Sequence, residues 1–421
     1  MIDRTKEIEA DLVITHCGQI LTMAGATERP KTGAQMDDLG LIPGGALAAR
    51  EGRIVWVGKA EGLESSVSLV EGARVIDAQG RVALPGFVDS HTHAVFAGSR
   101  EGELAARIRG KTYLEILQEG GGILSTVRAT RGRSPEELAE VSRGYLDNML
   151  RHGTTTVEVK SGYGLDLESE LAILQAVEIL NRTHPLDLIP TFLGAHALAP
   201  EYAGDQAGYV EAVIRMLHQV KGFARYCDVF CEEGVFSVEE SRRILLEARR
   251  QGFGIKLHAD ELRPTGGAEL AAELGATSAD HLDHASPQGM RALAEKGVVG
   301  VLLPGVSFFL MAPTYAPARQ MLEAGMAIAL ATDFNPGSCP CENMALILTL
   351  ACLQLKMTIE QALNAATING AHALGLALEV GSLEVGKAAD VVLFDLPSYQ
   401  AIPYRFGVNH VWRVIKKGKE V

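Results

Sequence analysis

The sequence predicts an α/β fold: a (β/α)8 barrel of the TIM type, with a small β-sandwich domain built from both ends of the chain. The middle of the chain predicts the barrel, because apolar, β-rich segments alternate there with segments of helical periodicity. Both ends contribute short alternating segments that predict strands of a smaller sheet. The predicted cores of the barrel strands are residues 86–91, 154–159, 188–193, 226–231, 254–258, 277–281, 298–303 and 327–332.

Helix start signals lie between these strands. Ser134 and Ser286 are each followed by proline, which is common in the first turn of a helix. Ser237 and Glu240 have the spacing of a capping box. The first of these helices is expected to carry on one face Leu138, Val141, Tyr145 and Met149.

The domain organisation follows from the same pattern. We expect a composite β domain of residues 1–84 plus 380–421 and a barrel of residues 85–379. The alternative is an open, doubly wound sheet, but no glycine-rich dinucleotide fingerprint follows an early strand. The glycines at 120–122 come after a helical segment and indicate a loop. The strand candidates of the β domain are residues 11–15, 52–58, 73–77, 390–394 and 411–415.

Composition narrows the classes of partner. The formal net charge of −13 argues against nucleic acid, because phosphate binding needs clustered lysine and arginine. The negative net charge does not exclude a small anionic substrate, since one arginine in contact with the substrate outweighs the electrostatic field of the distant charges. Prolines interrupt the longest uncharged stretch, residues 297–318, which predicts a buried strand and a loop and not a membrane span.

The cysteines and the first residues bear on location. The six cysteines form no disulfide framework, which favours reduced thiols in a cytoplasmic protein. Residues 1–11 are charged and lack the apolar core of a secretion signal. Cys339 and Cys341 raise the alternative of a thiolate metal site, but no second pair with zinc-finger spacing follows.

The strongest functional signal is the His-x-His motif of His91 and His93, at the end of the first barrel strand. Residues two apart in a strand point the same way, so both imidazoles are expected to face one point. In a barrel, the carboxyl ends of the strands carry the active site. A lone motif of this kind also occurs as two solvated loop histidines, so the other strand ends decide between these interpretations.

Polar side chains that can bind metal recur near the ends of later strands. Burying such groups singly is costly, which favours a metal or a substrate that they share. Three imidazoles and one carboxylate suit Zn²⁺ or Fe²⁺ better than Mg²⁺ or Ca²⁺. His281 is the rival to the expected metal ligands, which are His91, His93, His258 and Asp333.

These residues resemble the amidohydrolase superfamily over nearly the whole chain. The resemblance rests on residues 85–93, the histidines after strands five and six, Asp333 and residues 381–390. It implies a metal-dependent hydrolase. Binuclear members use a bridging carboxylated lysine or a glutamate, commonly at strand four. Lys160 is at the end of strand two, which is the wrong strand for a bridging lysine, so one metal ion is expected. Glu232, after strand four, is the residue that could bridge a second ion.

Within the superfamily, several segments are similar to those of members that open an imidazolone ring in histidine degradation. The resemblance implies hydrolysis of 4-imidazolone-5-propanoate to N-formimidoyl-L-glutamate, with one Zn²⁺ or Fe²⁺. Members of this kind are often homodimers, which we expect here too. The matching segments are residues 91–100, 120–128, 158–164, 193–196, 257–261 and 332–338.

The resemblance also implies roles for individual residues. We expect His281 to take a proton from the attacking water, with Asp333 as the alternative base. His196 is expected to polarise the ring carbonyl, and Glu261 to protonate the leaving nitrogen. The guanidinium of Arg100 suits the propanoate carboxylate, although an ion pair within its own loop is an equally good interpretation of Arg100 alone. The expected substrate-binding residues are Arg100, Tyr113, Tyr163, His196, Glu261, Asn335, Gly337 and Ser338.

Two other functions stay compatible with the sequence. One is a deaminase or another cyclic amidase of the same superfamily, such as a guanine-deaminase-like enzyme. Arg100 and Tyr163 favour an anionic, non-purine substrate over that alternative. The other is a metal-binding scaffold without catalysis, which is disfavoured because every expected ligand position is filled.

Overall fold

The barrel that the sequence predicts is present in the computed structural model, which describes residues 8–111, 115–116 and 119–421. Eight parallel strands, β6 to β13, follow one another in chain order, and each is hydrogen-bonded to the next. Every one overlaps a predicted strand core. The strands in chain order are β1 (Ile8–Leu21), β2 (Leu41–Arg50), β3 (Arg53–Lys59), β4 (Val67–Asp77), β5 (Val82–Pro85), β6 (Phe87–Asp89), β7 (Thr154–Lys160), β8 (Asp187–Ala195), β9 (Tyr226–Cys231), β10 (Gly254–Ala259), β11 (Ser278–His281), β12 (Val299–Leu302), β13 (Ile328–Leu330), β14 (Val391–Phe394), β15 (Val411–Lys416) and β16 (Lys419–Glu420).

Helices surround the barrel and cover its outer face. The capping box predicted at Ser237 is present, and the helix start predicted at Ser134 also has one; each serine accepts from the backbone N–H of the glutamate three residues on. Helical bounds are Leu63–Ser66, Glu101–Ile108, Ile123–Thr130, Pro135–Arg151, Leu167–Thr183, Gln206–Val220, Val238–Arg250, Gly267–Leu274, Pro287–Lys296, Pro304–Phe309, Ala318–Glu323, Met344–Leu353, Ile359–Ala365, Ile368–Ala373 and Ala401–Tyr404.

Two details of the helix prediction were wrong. Val141 is 46% exposed, because the buried face of its helix is formed by Leu138, Leu146 and Met149. The stretch after β12 was predicted to be a loop, but it contains the helix Pro304–Phe309. Proline at the first helical position is compatible with a helix start, so it did not exclude one.

The second sheet joins the two ends of the chain. Its strand order is β16-β15-β14-β5-β1-β2-β3, with β4 paired to β1, and it mixes parallel and antiparallel pairs. One apolar cluster on this sheet contains Leu12, Leu47 and Leu393, so residues from both ends share one core. The exact division into residues 1–84 plus 380–421 and residues 85–379 stays a prediction.

The barrel closes between its first and last strands. Thr92 and Phe334 form a parallel bridge just beyond the ends of β6 and β13. Deeper in the barrel, Asp89 accepts hydrogen bonds from the backbone N–H of Thr332 at 3.0 Å and from its hydroxyl at 2.6 Å. Closure brings the carboxyl ends of all eight strands around one opening, where the polar residues of the sequence analysis lie.

No helix in the described part of the chain is long and apolar enough to cross a membrane.

The closing contact gives a stability prediction. We expect Thr332→Val to lower the free energy of unfolding by about 1–3 kcal/mol, because Asp89 Oδ2 then loses its hydroxyl donor in a buried site. The measurement is urea-induced unfolding.

The matched control is Thr156→Val in β7. The Thr156 hydroxyl is buried and has no hydrogen-bond partner among the described residues, so its removal is expected to be neutral or stabilising. Equal losses in the two variants would contradict a specific role of the Asp89–Thr332 pair in closure.

Candidate metal centre and active site

Five polar side chains meet at the carboxyl end of the barrel. His91 and His93 lie just after β6, His258 lies near the end of β10, His281 ends β11, and Asp333 lies after β13. All five are buried. Parallel strands that end at one rim place these side chains together although they are far apart in the chain.

Their inward atoms are close enough to share one ion. Asp333 Oδ1 lies 3.4 Å from His91 Nε2 and 3.5 Å from His93 Nε2. Three groups of three side chains have ligand atoms within 4.8 Å of one another. One of them, His91 with Glu158 and Asp280, reaches into the barrel, and two lie wholly at this rim. Of the two at the rim, one is His91, His93 and Asp333, and the other is His91, His258 and His281. Because His91 belongs to both groups, the five side chains form one metal-binding cluster.

The donor atoms of this cluster fit a divalent cation. His91 Nε2, His258 Nε2 and Asp333 Oδ1 are buried and have no hydrogen-bond partner among the described residues. Buried polar atoms in proteins are nearly always paired, so three unpaired ones directed at one place require an explanation. A bound divalent ion satisfies all three, and nitrogen with oxygen donors suits Zn²⁺ or Fe²⁺.

The protonation states also suit a metal ligand set. Burial is the main cause that lowers the pKa of His91, His93 and His281 well below the usual value, and neighbouring imidazoles add to it. The rings are therefore neutral at physiological pH, which is the form that binds metal. Burial raises the pKa of Asp333 to about 7, against the opposing effect of His258.

Two of the imidazoles are held from behind by buried carboxylates. Asp280 Oδ2 lies 2.6 Å from His91 Nδ1, and Asp228 Oδ2 lies 3.1 Å from His258 Nδ1. A carboxylate can only accept, so Nδ1 of His91 carries a proton that it donates to Asp280. The contact of His258 Nδ1 with Asp228 is an ion-pair contact that lacks the alignment of a hydrogen bond. The Nε2 lone pair of His91 then faces the cavity, as metal binding requires.

The backbone at the site is unusual at two of these positions. His281 has φ of +75° and Asp333 has φ of +50°, in the left-handed region that most side chains avoid. Such conformations cost on the order of 1–3 kcal/mol each and persist where the surrounding structure enforces them. The two side chains are thus directed into the cluster at some cost to stability.

His196 and Tyr163 form one wall beside the cluster. The His196 ring stacks on that of His93 with centroids 4.9 Å apart, and the Tyr163 ring lies 5.4 Å from that of His196. His196 Nδ1 lies 3.0 Å from the carbonyl oxygen of Gly162. Gly162 has φ of +105°, and a Cβ there would lie 2.9 Å from His196 Nδ1, so this position requires glycine.

The tautomer of His196 follows from this contact. A carbonyl oxygen only accepts, so Nδ1 of His196 carries a proton. Burial lowers the pKa of His196 to about 3, with His258 adding to the effect, so the ring is neutral. Nε2 of the neutral ring therefore accepts a hydrogen bond. We expected His196 to polarise the substrate carbonyl. To donate a hydrogen bond to that carbonyl from Nε2, the ring would have to gain a second proton.

Glu261 lies beside His281 on the opposite wall. Its Oε2 lies 3.6 Å from His281 Nε2. Burial raises the pKa of Glu261 well above the usual value, and the nearby carboxylates of Asp333, Asp283 and Glu232 add to the rise. The side chain is therefore disposed to hold a proton that it can donate.

Arg100 is paired within its own segment. Its Nε lies 3.0 Å from Glu103 Oε1, and its Nη2 lies 2.8 Å from Glu103 Oε2. The ion pair with Glu103 uses the Nε and Nη2 edge of the guanidinium, and Nη1 takes no part in it. A Cβ on Gly337 would overlap Nη1, so glycine allows the cation to pack against the turn after β13.

The turn after β13 is organised by Asn335. Its Oδ1 accepts from the backbone N–H of Gly337 and of Ser338, both at 2.8 Å. Its Nδ2 donates to the carbonyl oxygen of Asp333 at 2.8 Å and to the hydroxyl of Ser338 at 2.7 Å. The Asn335 amide is thus fully used within the turn, and its observed role is to hold Gly337 beside Arg100.

The structure separates other candidates from the cluster. The Glu232 carboxylate accepts from the backbone N–H of Glu233 and of Leu262 at 2.9 and 2.8 Å, and it belongs to no metal-binding group among the described residues. Cys339 and Cys341 are free thiols, and no such group in the described part of the chain contains them. Tyr113 lies outside the described residues.

Several residues near the site were not predicted from the sequence. Asp228, Glu158 and Lys256 lie inside the barrel beneath the cluster, and the period-two pattern of β7, β9 and β10 could have placed them on the inner face. Arg107 lies close to the same turn, with Nη2 at 3.4 Å from the carbonyl oxygen of Gly337. No motif in the sequence distinguished it.

The sequence is similar to a family model and to named proteins of one family. The model of the amidohydrolase family matches residues 82–421. An imidazolonepropionase of Symbiobacterium thermophilum is 54% identical over 413 residues, which cover 97% of this chain and 96% of that protein. An imidazolonepropionase of Bacillus velezensis is 49% identical over 98% of this chain and 97% of that protein.

Solved structures show the same fold at lower identity. E. coli guanine deaminase superposes with a TM-score of 0.73 at 20% identity, over 97% of this chain and 99% of that one. A zinc-bound adenosine deaminase of Xanthomonas campestris gives a TM-score of 0.73 at 20% identity, over 98% of this chain and 93% of that one. The family model and the closely related sequences together cover nearly the whole chain, and the protein belongs to the amidohydrolase family.

Proposed function

We propose that the protein hydrolyses 4-imidazolone-5-propanoate to N-formimidoyl-L-glutamate, the imidazolonepropionase reaction of histidine degradation. The observation that carries the proposal is the identity of about half of all residues to imidazolonepropionases over nearly the full length of both chains. The buried cluster of histidines and aspartate, with the Arg100 charge near enough to act on His196, is compatible with an anionic cyclic amide as substrate.

The metal in this proposal is one Zn²⁺ or Fe²⁺, held by His91, His93, His258 and Asp333. The unpaired inward atoms of His91, His258 and Asp333 support this ligand set. His281 is the rival, because its ring also lies in one of the metal-binding groups. A divalent ion there supplies two effects when bound: it acidifies water and it polarises the carbonyl.

Base catalysis is assigned to His281, with Asp333 as the alternative. The neutral imidazole of His281 can take a proton from the attacking water, whose oxygen forms the new bond to the ring carbonyl carbon. Asp333 faces the same space, and its pKa of about 7 without a metal also allows it to accept a proton.

Acid catalysis is assigned to Glu261. The carbon–nitrogen bond of the cyclic amide breaks, and the leaving nitrogen needs a proton, which a Glu261 carboxyl with a raised pKa can deliver. When Nδ1 of His196 carries the proton, its Nε2 can accept a hydrogen bond from an N–H of the substrate ring and so orient the substrate. If His196 instead polarises the carbonyl, it does so as the imidazolium.

Binding of the substrate carboxylate is assigned to Arg100. Glu103 fixes the guanidinium, and the turn formed by Asn335, Gly337 and Ser338 supports it from the other side. Tyr163 is a further proposed substrate-binding residue, and its ring lies beside those of both His93 and His196. Tyr113 remains a proposed substrate-binding residue. We also propose a cytoplasmic homodimer.

The direct test of the proposed function uses metal-free protein. We expect no turnover of 4-imidazolone-5-propanoate until stoichiometric Zn²⁺ or Fe²⁺ is added, and then loss of the ultraviolet absorbance of the ring. The product is identified by mass spectrometry. Release of ammonia from this substrate, or a ring that stays closed with metal-replete protein, would contradict the proposal.

The role of His281 is tested by His281→Ala. We expect kcat to fall by about 10²–10⁴, because the attacking water loses its base, while the metal content stays at one ion for each chain. Metal analysis and steady-state kinetics are measured on the same sample. Loss of the metal would show His281 to be a ligand, and unchanged kcat with metal bound would disprove the base assignment. His284→Ala is the control.

The role of Arg100 is tested with two substrates. For 4-imidazolone-5-propanoate, we expect Arg100→Met to lower kcat/KM by about 10–100-fold, because a charge-assisted hydrogen-bonded pair of about 1.5–3 kcal/mol is lost. For the uncharged propanamide analogue, wild type and variant should differ little. The nearby exposed Arg109→Met is the control. Equal losses on both substrates would assign Arg100 a purely structural role.

A further inference from the structure

The interior of the barrel beneath the metal-binding cluster is charged. Five ionisable residues there have side chains with 0% exposure, and they come from the three neighbouring strands β9, β10 and β11 and from β7. Three are carboxylates and two are ammonium groups. They are Glu158, Lys160, Asp228, Lys256 and Asp280. Such a network is costly to bury, and it is not explained by the packing of the barrel.

Lys160 is the centre of this network. Its Nζ lies 2.7 Å from Asp228 Oδ2, 3.2 Å from Asp280 Oδ2 and 3.1 Å from Glu158 Oε1. Lys256 is attached differently, because its Nζ lies 2.6 Å from Glu158 Oε2 and 3.2 Å from the carbonyl oxygen of Ser90. One ammonium group therefore lies between two aspartates, and the other pairs with the glutamate.

The two aspartates are the ones that hold the imidazoles. Asp280 uses Oδ2 both for Lys160 and for His91 Nδ1 at 2.6 Å. Asp228 likewise uses Oδ2 both for Lys160 and for His258 Nδ1 at 3.1 Å. The same two oxygen atoms thus connect one ammonium group to two rings of the cluster.

Charge explains why a cation is needed at this point. Two buried carboxylates whose oxygens approach the same atom repel each other strongly in a site of low polarity. The Lys160 ammonium between them offsets that repulsion and fixes both carboxylates. Asp280 orients the His91 ring through a hydrogen bond, and Asp228 packs against the His258 ring in an ion-pair contact. A shift of either carboxylate would therefore move the Nε2 atom of His91 or His258 away from the common centre.

We infer that Lys160 is a positioning residue that preorganises the metal centre: it bridges Asp228 and Asp280 and through them holds His91 and His258 ready for the ion. This inference rests on the proposed metal assignment. It gives Lys160 a function other than that of a bridging ligand, since its Nζ is already surrounded by three carboxylates.

The test compares Lys160→Met with Lys256→Met. Both substitutions remove one buried ammonium group of the same network, so both are expected to destabilise the fold. Zn²⁺ affinity is measured by competition with a chromophoric chelator, and the Co²⁺ absorption spectrum reports the geometry of the site. We expect Zn²⁺ affinity to fall about 10–100-fold in Lys160→Met, as for other groups that orient metal ligands, and less than about 3-fold in Lys256→Met.

The outcomes separate this inference from the proposed function. Wild-type protein that binds no stoichiometric Zn²⁺ would contradict the metal assignment itself. A wild type that binds Zn²⁺ while both variants lose affinity equally would overturn only the role of Lys160. If Lys160→Met does not fold, Lys160→Gln and Lys256→Gln replace the pair, since glutamine keeps a donor without the charge. The same ranking is then expected, and equal affinities would overturn the inference.

Discussion

The structure depends on buried imidazole and carboxylate atoms that point at one another without a hydrogen-bond partner among the described residues. Leaving such a group unpaired costs about 1–3 kcal/mol, and His91, His258 and Asp333 each contribute one. Left-handed backbone at Asp333 adds to this cost. A divalent cation at their centre would remove the cost of the unpaired atoms. The same buried atoms that destabilise the carboxyl end of the barrel without metal are therefore the ones that can bind a metal ion.

The barrel supports this centre in layers. Helices and apolar strands bury the outer faces, and the Asp89–Thr332 contact closes the ring of strands. Inside, charged side chains replace the apolar filling that a barrel usually has, and they reach the imidazoles through Asp228 and Asp280. Above the centre, the walls differ in chemistry, with aromatic rings on one side and the carboxyl of Glu261 on the other. This asymmetry suits a substrate with distinct ends.

Much of this arrangement could be predicted from the sequence, because two simple rules apply at the site. Residues two apart on a strand share a face, and parallel strands end at one rim, so His91 and His93 could be placed with Asp333. The interior network could not be predicted in full. Periodicity shows that Glu158 and Lys160 share a face, but pairing across strands depends on register. The saturated amide of Asn335 likewise depends on turn geometry that an Asn-Pro-Gly motif does not specify.

The most direct test of the metal centre is X-ray absorption spectroscopy of protein loaded with one equivalent of Zn²⁺. We expect one ion for each chain, with three imidazole nitrogens and a carboxylate oxygen at about 2.0–2.2 Å. Four imidazoles would add His281 to the ligand set and leave the centre in place. Sulfur ligands, or fewer than three imidazoles around the bound ion, would contradict the claim that these strand ends form the metal centre.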